Sequence, residues 1–146
     1  MPLQLREDIV IPRTLPRSEH IIEMRARFLA PEDRDLIEAV LIRGTSSRAV
    51  SRMMKVCPRT VRNRVHRLAK KLVSKEFMDA ARALQYLPDD EARLARWRFC
   101  EGRSIREISE RLGKGYHPTS KHLHQIAAKI SFMADQSSRR SRRFAG

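Results

Sequence analysis

The fold of this chain is decided by one stretch, which reads Gly44-Thr-Ser-Ser-Arg-Ala-Val-Ser-Arg-Met-Met-Lys-Val-Cys-Pro-Arg-Thr-Val-Arg-Asn-Arg-Val-His-Arg-Leu-Ala-Lys-Lys-Leu72. Ser46 is a good N-cap for a short helix, and Pro58 suits the first position of a second helix. The turn Lys55-Val56-Cys57 separates them. The second helix carries apolar residues at helical spacing, at Val61, Val65, Leu68 and Leu72. A capped short helix, a brief turn and a longer basic helix predict a helix-turn-helix.

The same pattern occurs a second time along the chain. Residues 29–72 align without a gap with residues 87–130, at a constant offset of 58, and nine of the 44 pairs are identical. The identical pairs include Gly44/Gly102, Ser46/Ser104, Ser51/Ser109 and His66/His124. Matching apolar positions imply matching buried faces, so the sequence predicts two copies of one small helical unit. Two copies are too few for a solenoid.

This repeat organises the whole chain, for which we predict an all-α fold. Residues 1–28 are expected to form an extended, proline-containing arm followed by a short helix that Ser18 caps. Residues 29–86 hold the first helix-turn-helix unit and a helical connector, and residues 87–132 hold the second unit. Residues 133–146 are arginine- and serine-rich, which is typical of a disordered basic tail.

Finer expectations follow for the two units. In the first short helix we expect Ala49, Val50, Met53 and Met54 to face inward, and Ser51 and Ser109 to lie where paired helices cross closely. In the second unit Ser104-Ile-Arg-Glu107 has the pattern of a capping box. We expect its last helix to start at Pro118, after a looser turn through Gly115-Tyr116-His117.

The charge of the chain indicates a polyanionic partner. Its formal net charge is +14, with 31 basic and 17 acidic residues. Residues 29–72 carry 11 basic and 4 acidic side chains (+7), and residues 87–130 carry 9 and 6 (+3). Nucleic acid and an anionic membrane surface are the two classes of partner that such a surplus suits. Because half of the excess lies in the first folded unit, nucleic acid is favoured.

Other classes of protein are not expected. Cys57 and Cys100 form no CxxC pair, which argues for a reducing compartment, and the histidines lack metal-ligand spacing. We predict no metal, no cofactor and no enzymatic activity, since no phosphate loop or nucleophile motif occurs. No apolar run is long enough to span a membrane, and the N-terminus resembles no signal peptide. We expect a cytoplasmic, nucleoid-associated protein without membrane contact.

The face of helix 58–72 opposite its apolar stripe is the predicted DNA-binding surface. Arginine reads guanine, asparagine reads adenine, and further cations suit phosphates. The candidate DNA-binding residues are Arg59, Thr60, Arg62, Asn63, His66, Arg67 and Lys70, with Arg64 on the flank. By the offset of the repeat, the second candidate face consists of His117, Ser120, Lys121, His124 and Gln125. This second unit either reads DNA with fewer cations or serves dimerisation and protein contact.

The stretch 29–72 resembles the fourth conserved region of bacterial sigma factors and is similar to the LuxR-type helix-turn-helix. Residues at matching places of the sigma pattern are Thr60, Val61, Arg64, Arg67 and Leu72, and Cys57 replaces its capping serine. The resemblance implies major-groove binding of double-stranded DNA and contact with RNA polymerase. The 28 residues before Leu29 leave no room for a promoter-melting region, so we do not expect a complete sigma factor. The second copy is degenerate, with Lys114 in place of the apolar Val56.

Three functions remain in competition on these grounds. The leading one is a small bacterial or phage regulator of transcription, with duplex DNA, RNA polymerase and a second copy of the chain as candidate partners. The alternative is a DNA-binding accessory subunit of a transposase, recombinase or phage terminase. An RNA-binding protein is the third, although aromatic residues make up only 5% of the chain, which disfavours binding by base stacking.

Overall fold

The computed structural model describes residues 18–144, and all regular secondary structure in that range is helical. The predicted all-α class is confirmed. The helices are α1 (Ser18–Ala26), α2 (Pro31–Ile37) with a π-helical turn (Glu38–Ile42), α3 (Ser47–Met54), α4 (Pro58–Leu72), α5 (Lys75–Ala83) with a 3-10 turn (Leu84–Tyr86), α6 (Asp89–Ala95) with a π-helical turn (Arg96–Cys100), α7 (Ile105–Leu112) and α8 (Tyr116–Phe144). The expected arm over residues 1–17 lies outside the described residues.

The described chain divides at Ser74 into two compact units. The first contains α1 to α4 and the second contains α5 to α8. The sequence grouped residues 73–86 with the first unit as a connector, whereas in the structure α5 packs on α8 and on the turn Arg96–Cys100 of the second unit. The reason is that α5 is amphipathic: its residues Phe77, Ala80 and Ala83 are buried.

The repeat seen in the sequence is also a repeat of the backbone. Helices α2 and α6, their π-helical turns, and helices α3 and α7 all begin and end 58 residues apart, as do the starts of α4 and α8. The same hydrogen bonds close the opening helices: the N–H of Thr45 donates to Ala39 O (2.8 Å), and that of Arg103 donates to Trp97 O (2.9 Å). Each unit therefore builds the same local geometry from a largely different set of side chains.

Two serines in each unit are used identically. Ser46 Oγ accepts from Ala49 N and Ser104 Oγ accepts from Glu107 N, both at 3.1 Å, so each caps the helix that follows. Ser51 and Ser109 are buried, and each hydroxyl donates to the carbonyl three residues earlier at 2.7 Å. In a capping box the glutamate also accepts a hydrogen bond from the backbone N–H of the capping serine. Here the Glu107 carboxylate accepts from Arg103 instead.

The core of the first unit forms around the apolar stripe of α4. Val61, Val65 and Leu72 are at most 2% exposed, and α4 packs on α3 and α2. Other buried residues of this core are Leu29, Leu36, Ile37, Val40, Leu41 and Val50. The expectation that Met53 and Met54 face inward is wrong: they are 70% and 37% exposed, at the end of α3, where the last turn of the helix is left uncovered.

The turn of the second unit also differs from its prediction. Helix α8 begins at Tyr116 rather than Pro118, so Gly113-Lys114-Gly115 occupies the same three positions as Lys55-Val56-Cys57 and the turn is no looser. Proline is tolerated within the first turn of a helix, where its missing N–H has no partner to lose. Pro118 therefore does not delay the start of α8.

The basic tail does not behave as expected from its composition. Instead of becoming disordered at residue 133, the chain continues α8 as one helix through Phe144. No glycine or proline occurs between Pro118 and Gly146, and arginine, glutamine, methionine and alanine are good helix formers. Propagation of a helix that is already nucleated needs little further stabilisation.

A matched pair of substitutions tests the geometry of the two turns. Lys55 and Gly113 are equivalent C-cap residues, both left-handed, with φ of 56° and 64°. Because a side chain is disfavoured there, Gly113→Ala should lower the free energy of unfolding by about 1 kcal/mol, although a Cβ at Gly113 meets no atom within 4 Å. Lys55→Gly should raise it by about 0.5 kcal/mol. Denaturant unfolding measures the free energy of unfolding of both variants. Changes of the same sign in the two variants would contradict the left-handed conformation assigned to Lys55 and Gly113.

Candidate nucleic-acid interface

The predicted DNA-binding residues of the first unit all lie on the surface of α4. Six of the seven are exposed and His66 is half-exposed. The exposed six are Arg59, Thr60, Arg62, Asn63, Arg67 and Lys70. Because Val61, Val65 and Leu72 face the core, the helical rotation of about 100° per residue leaves these side chains on the outer side. We call the surface formed by the seven residues the α4 face.

The cations of the α4 face are unpaired within the described residues. Arg59, Arg62, Arg67 and Lys70 form no ion pair or hydrogen bond with any side chain of residues 18–144. Arg64 behaves differently: its Nη2 and Nε donate to Asp33 Oδ1 at 2.7 and 3.2 Å. An unpaired guanidinium or ammonium group is available to a phosphate or a base without first losing a protein partner.

The C-terminal end of α4 is held by a contact that the sequence did not reveal. Arg25 Nη1, from α1, donates to the carbonyl oxygen of Leu72 at 3.0 Å. A cation at a helix C-terminus satisfies an orphan carbonyl and complements the helix dipole. The sequence did not predict this contact, since nothing in a linear pattern places residue 25 beside residue 72. Helix α1 thus anchors α4.

The N-terminal end of α4 carries an exposed thiol. Cys57 is the N-cap, and its Sγ lies 3.0 Å from Thr60 Oγ1. The hydrogen bond with the Thr60 hydroxyl lowers the pKa of the Cys57 thiol below its ordinary value. The thiol therefore stands where a capping serine would, beside Arg59 and Thr60 of the α4 face.

The second candidate face is also on the surface, on α8. His117, Lys121, His124 and Gln125 are exposed and Ser120 is half-exposed. The ring of His124 uses Nδ1 to donate to Ser120 O at 2.7 Å. Lys121 is the one Lys or Arg residue among these five positions, whereas the α4 face has four. The second face is therefore accessible but weakly cationic.

Several basic side chains of residues 87–130 are paired with acids of the same segment. Arg103 donates to Glu107 Oε1 at 2.7 Å and lies 3.4 Å from Glu101, while Lys129 Nζ lies 2.7 Å from Glu91. Burial alone would lower the pKa of Arg103, but its hydrogen bonds to Glu107 and Glu101 raise it. Arg93 and Arg111 lie over the Trp97 ring, at 5.9 and 5.4 Å from its centroid. These four basic groups therefore have partners, whereas the Lys and Arg residues of the α4 face have no side-chain partner among residues 18–144.

A metal site and a membrane-spanning helix each have structural requirements that residues 18–144 do not meet. No three His, Cys, Asp or Glu side chains there come together in a way that would hold a metal ion. Within the same residues no helix combines the length and the apolarity needed to cross a membrane. Neither Cys57, which is exposed, nor Cys100, which is buried, forms a disulfide within these residues.

Comparisons with known proteins add no identification. No family model matches the chain, and no curated protein or solved structure matches it either. The resemblance to sigma region 4 and to the LuxR-type helix-turn-helix stays a prediction from the residues that carry it.

The environment of Cys57 predicts a chemical reactivity. Because its pKa is lowered, more of the thiol is ionised near neutral pH, and the thiolate is the species that alkylates. Iodoacetamide should therefore modify Cys57 faster than an unperturbed thiol at pH 7, with buried Cys100 as the slow internal control. Thr60→Val should move the midpoint of the rate against pH upward. An unchanged midpoint in that variant would show that Thr60 does not stabilise the thiolate.

Proposed function

We propose that this protein binds double-stranded DNA by inserting the α4 face into the major groove. The observation that supports this most directly is the set of four unpaired cations and one asparagine on the exposed side of a helix braced by α3. In a helix-turn-helix the first helix supports the second, and the second presents its side chains to base edges. The α4 face has the chemical groups that this task requires.

The dimensions of α4 suit the groove. Its 15 residues span about 22 Å, longer than the groove's width of about 12 Å. Arg59 and Asn63 lie one helical turn apart near the N-terminal end, which is the part of a recognition helix that approaches the bases. Arg67 and Lys70 lie further along, where phosphates flank the groove. This division assigns base reading to the first half of α4 and backbone contact to the second half.

Duplex rather than single-stranded nucleic acid is the better match for this surface. Proteins that bind single strands stack bases on exposed aromatic side chains. Among residues 18–74 the only Phe, Trp or Tyr is Phe28, which lies outside the α4 face. A basic helix without a stacking platform favours contacts to phosphates and to the edges of paired bases.

Transcriptional regulation is the role that we propose for this DNA binding, with RNA polymerase as a partner implied by the resemblance to sigma region 4. Chromatin from the native host, cross-linked and captured through the full chain, would give the bound sites and the co-captured proteins in one experiment. Enrichment at promoters together with polymerase subunits supports the role. Sites confined to mobile-element ends or packaging sequences, with a nuclease or recombinase co-captured, would replace it by the accessory-subunit function.

Substitutions on α4 should separate base readers from phosphate contacts. Arg59→Ala or Asn63→Ala should each cost about 1–3 kcal/mol at the selected site and relax the preference at one base pair. Lys70→Ala should weaken all sequences alike, because a phosphate contact carries no base information. The measurement is selection of binding sites from a random duplex library, followed by titration of matched and mismatched duplexes.

Arg93→Ala serves as the control for that series, since it removes an exposed arginine of the second unit. It should leave the selected sequence unchanged. If folded Arg59 and Asn63 variants select the same site with the same affinity as the parent, α4 does not read the bases.

The two units should contribute unequally to non-specific binding. Each phosphate contact that is lost lowers the slope of log affinity against log salt by about 0.9 on duplex DNA. The full chain with Arg62, Arg67 and Lys70 changed to glutamine should lose more slope than the chain with Arg106, Lys114 and Lys121 changed, although both lose three exposed charges. Titrations from low to moderate salt measure the slopes. Equal losses would indicate two equivalent DNA-binding units.

A further inference from the structure

One arginine of α4 is held away from the α4 face by a carboxylate. Arg64 Nη2 lies 2.7 Å from Asp33 Oδ1, and Arg64 Nε donates to the same oxygen at 3.2 Å. Their side chains are only 31% and 17% exposed. Asp33 belongs to α2 and Arg64 to α4, so the pair joins two helices across 31 positions of sequence. Because it is partly buried, salt screens this ion pair less than it screens an exposed one.

The position of Arg64 on the helix matters for DNA. At about 100° per residue, Arg64 lies about 40° from Thr60 and about 60° from Arg67, on the edge of the α4 face. A guanidinium released at that edge would have reach to the phosphates that flank an inserted α4. Asp33 therefore neutralises the one arginine of α4 that would otherwise add a further cation to this edge.

The second unit repeats the arrangement with other residues. Glu91 is equivalent to Asp33, and it lies 3.9 Å from His122 Nε2, the equivalent of Arg64. Lys129 Nζ also lies 2.7 Å from the same Glu91 oxygen. An acid in the opening helix facing a basic residue of the long helix is thus a feature of both units, although their side chains differ.

We propose that Asp33 is a positioning residue that determines specificity by withholding Arg64 from the DNA backbone. The inference rests on the proposed DNA binding by α4 and deepens it. A phosphate contact strengthens binding to every sequence equally, so an additional one raises the non-specific affinity without adding discrimination. With Arg64 bound to Asp33, a larger share of the contacts on α4 comes from side chains that read bases, and competition from non-specific sites is reduced.

The test compares Asp33→Ala with Asp35→Ala in the full chain. Asp35 is an exposed aspartate of the same helix that has no ion-pair partner among residues 18–144, so its replacement reports the loss of one negative charge alone. Asp33→Ala should steepen the salt dependence on random duplex by about 0.9 relative to Asp35→Ala. Between 50 and 200 mM salt this is an additional loss of affinity of about 3.5-fold. Asp33→Glu should restore the parent slope.

Variants of Arg64 give a second readout that does not depend on the stability of the Asp33 variant. Because Arg64 makes no DNA contact in the parent, Arg64→Gln should leave the salt slope on random duplex unchanged. Asp33→Ala combined with Arg64→Gln should have the slope of Asp35→Ala. Circular dichroism and thermal melting of each variant confirm that only folded proteins are compared. A lower slope in Arg64→Gln would show that Arg64 already contacts phosphates and would overturn the proposal.

The result for the parent protein separates this inference from the function on which it rests. If the parent binds duplex DNA with a slope that depends on Arg67 and Lys70, but Asp33→Ala equals Asp35→Ala, only the role of Asp33 fails. If the folded parent does not bind duplex DNA at any salt concentration, the proposed function and this inference fail together.

Discussion

The burial of one apolar stripe on α4 is the constraint on which the first unit depends. Val61, Val65 and Leu72 are almost completely buried, and they lie at helical spacing on one side of α4. A helix whose apolar stripe must face the core has no freedom to rotate about its own axis. The opposite side of α4 therefore faces solvent. Its chemical character depends on the residues that lie between the apolar ones in the sequence. The arginines and Asn63 reach the surface for this reason.

A comparison of the two units shows which structural features they share and which side chains differ between them. Capping serines, buried serines and left-handed turn positions are the same in both, and they are the features that shape the backbone. The exposed side of the long helix is where the units diverge, since Arg59, Arg62 and Arg67 correspond to His117, Ser120 and Gln125. A common scaffold thus carries two surfaces of different charge.

The basic side chains of this protein differ in whether a carboxylate lies close to them, and the net charge of a segment does not show this difference. In the second unit Arg103, Arg111 and Lys129 lie within 4 Å of carboxylates, and in the first unit Asp33 binds Arg64. Exposed ion pairs contribute little to stability, but each reduces the positive potential that a polyanion would encounter. The four cations of the α4 face have no such partner among residues 18–144. A count of charged residues in the sequence cannot distinguish basic side chains that have a carboxylate partner from those that have none.

The sequence by itself determined the helical class, the repeat, the caps at Ser46 and Ser104 and the exposed side of α4, because these follow from local spacing and from residue types with strong backbone preferences. Contacts between residues distant in the chain were decided only by the tertiary structure: Arg25 on the carbonyl of Leu72, Asp33 on Arg64, and α5 in the core of the second unit. The exposure of Met53 and Met54 belongs to the same group, since an apolar side chain at the end of a helix is buried only if a neighbouring element covers it. The pattern of residues along the chain indicates which conformation each segment prefers, whereas tertiary packing determines which segments lie next to each other.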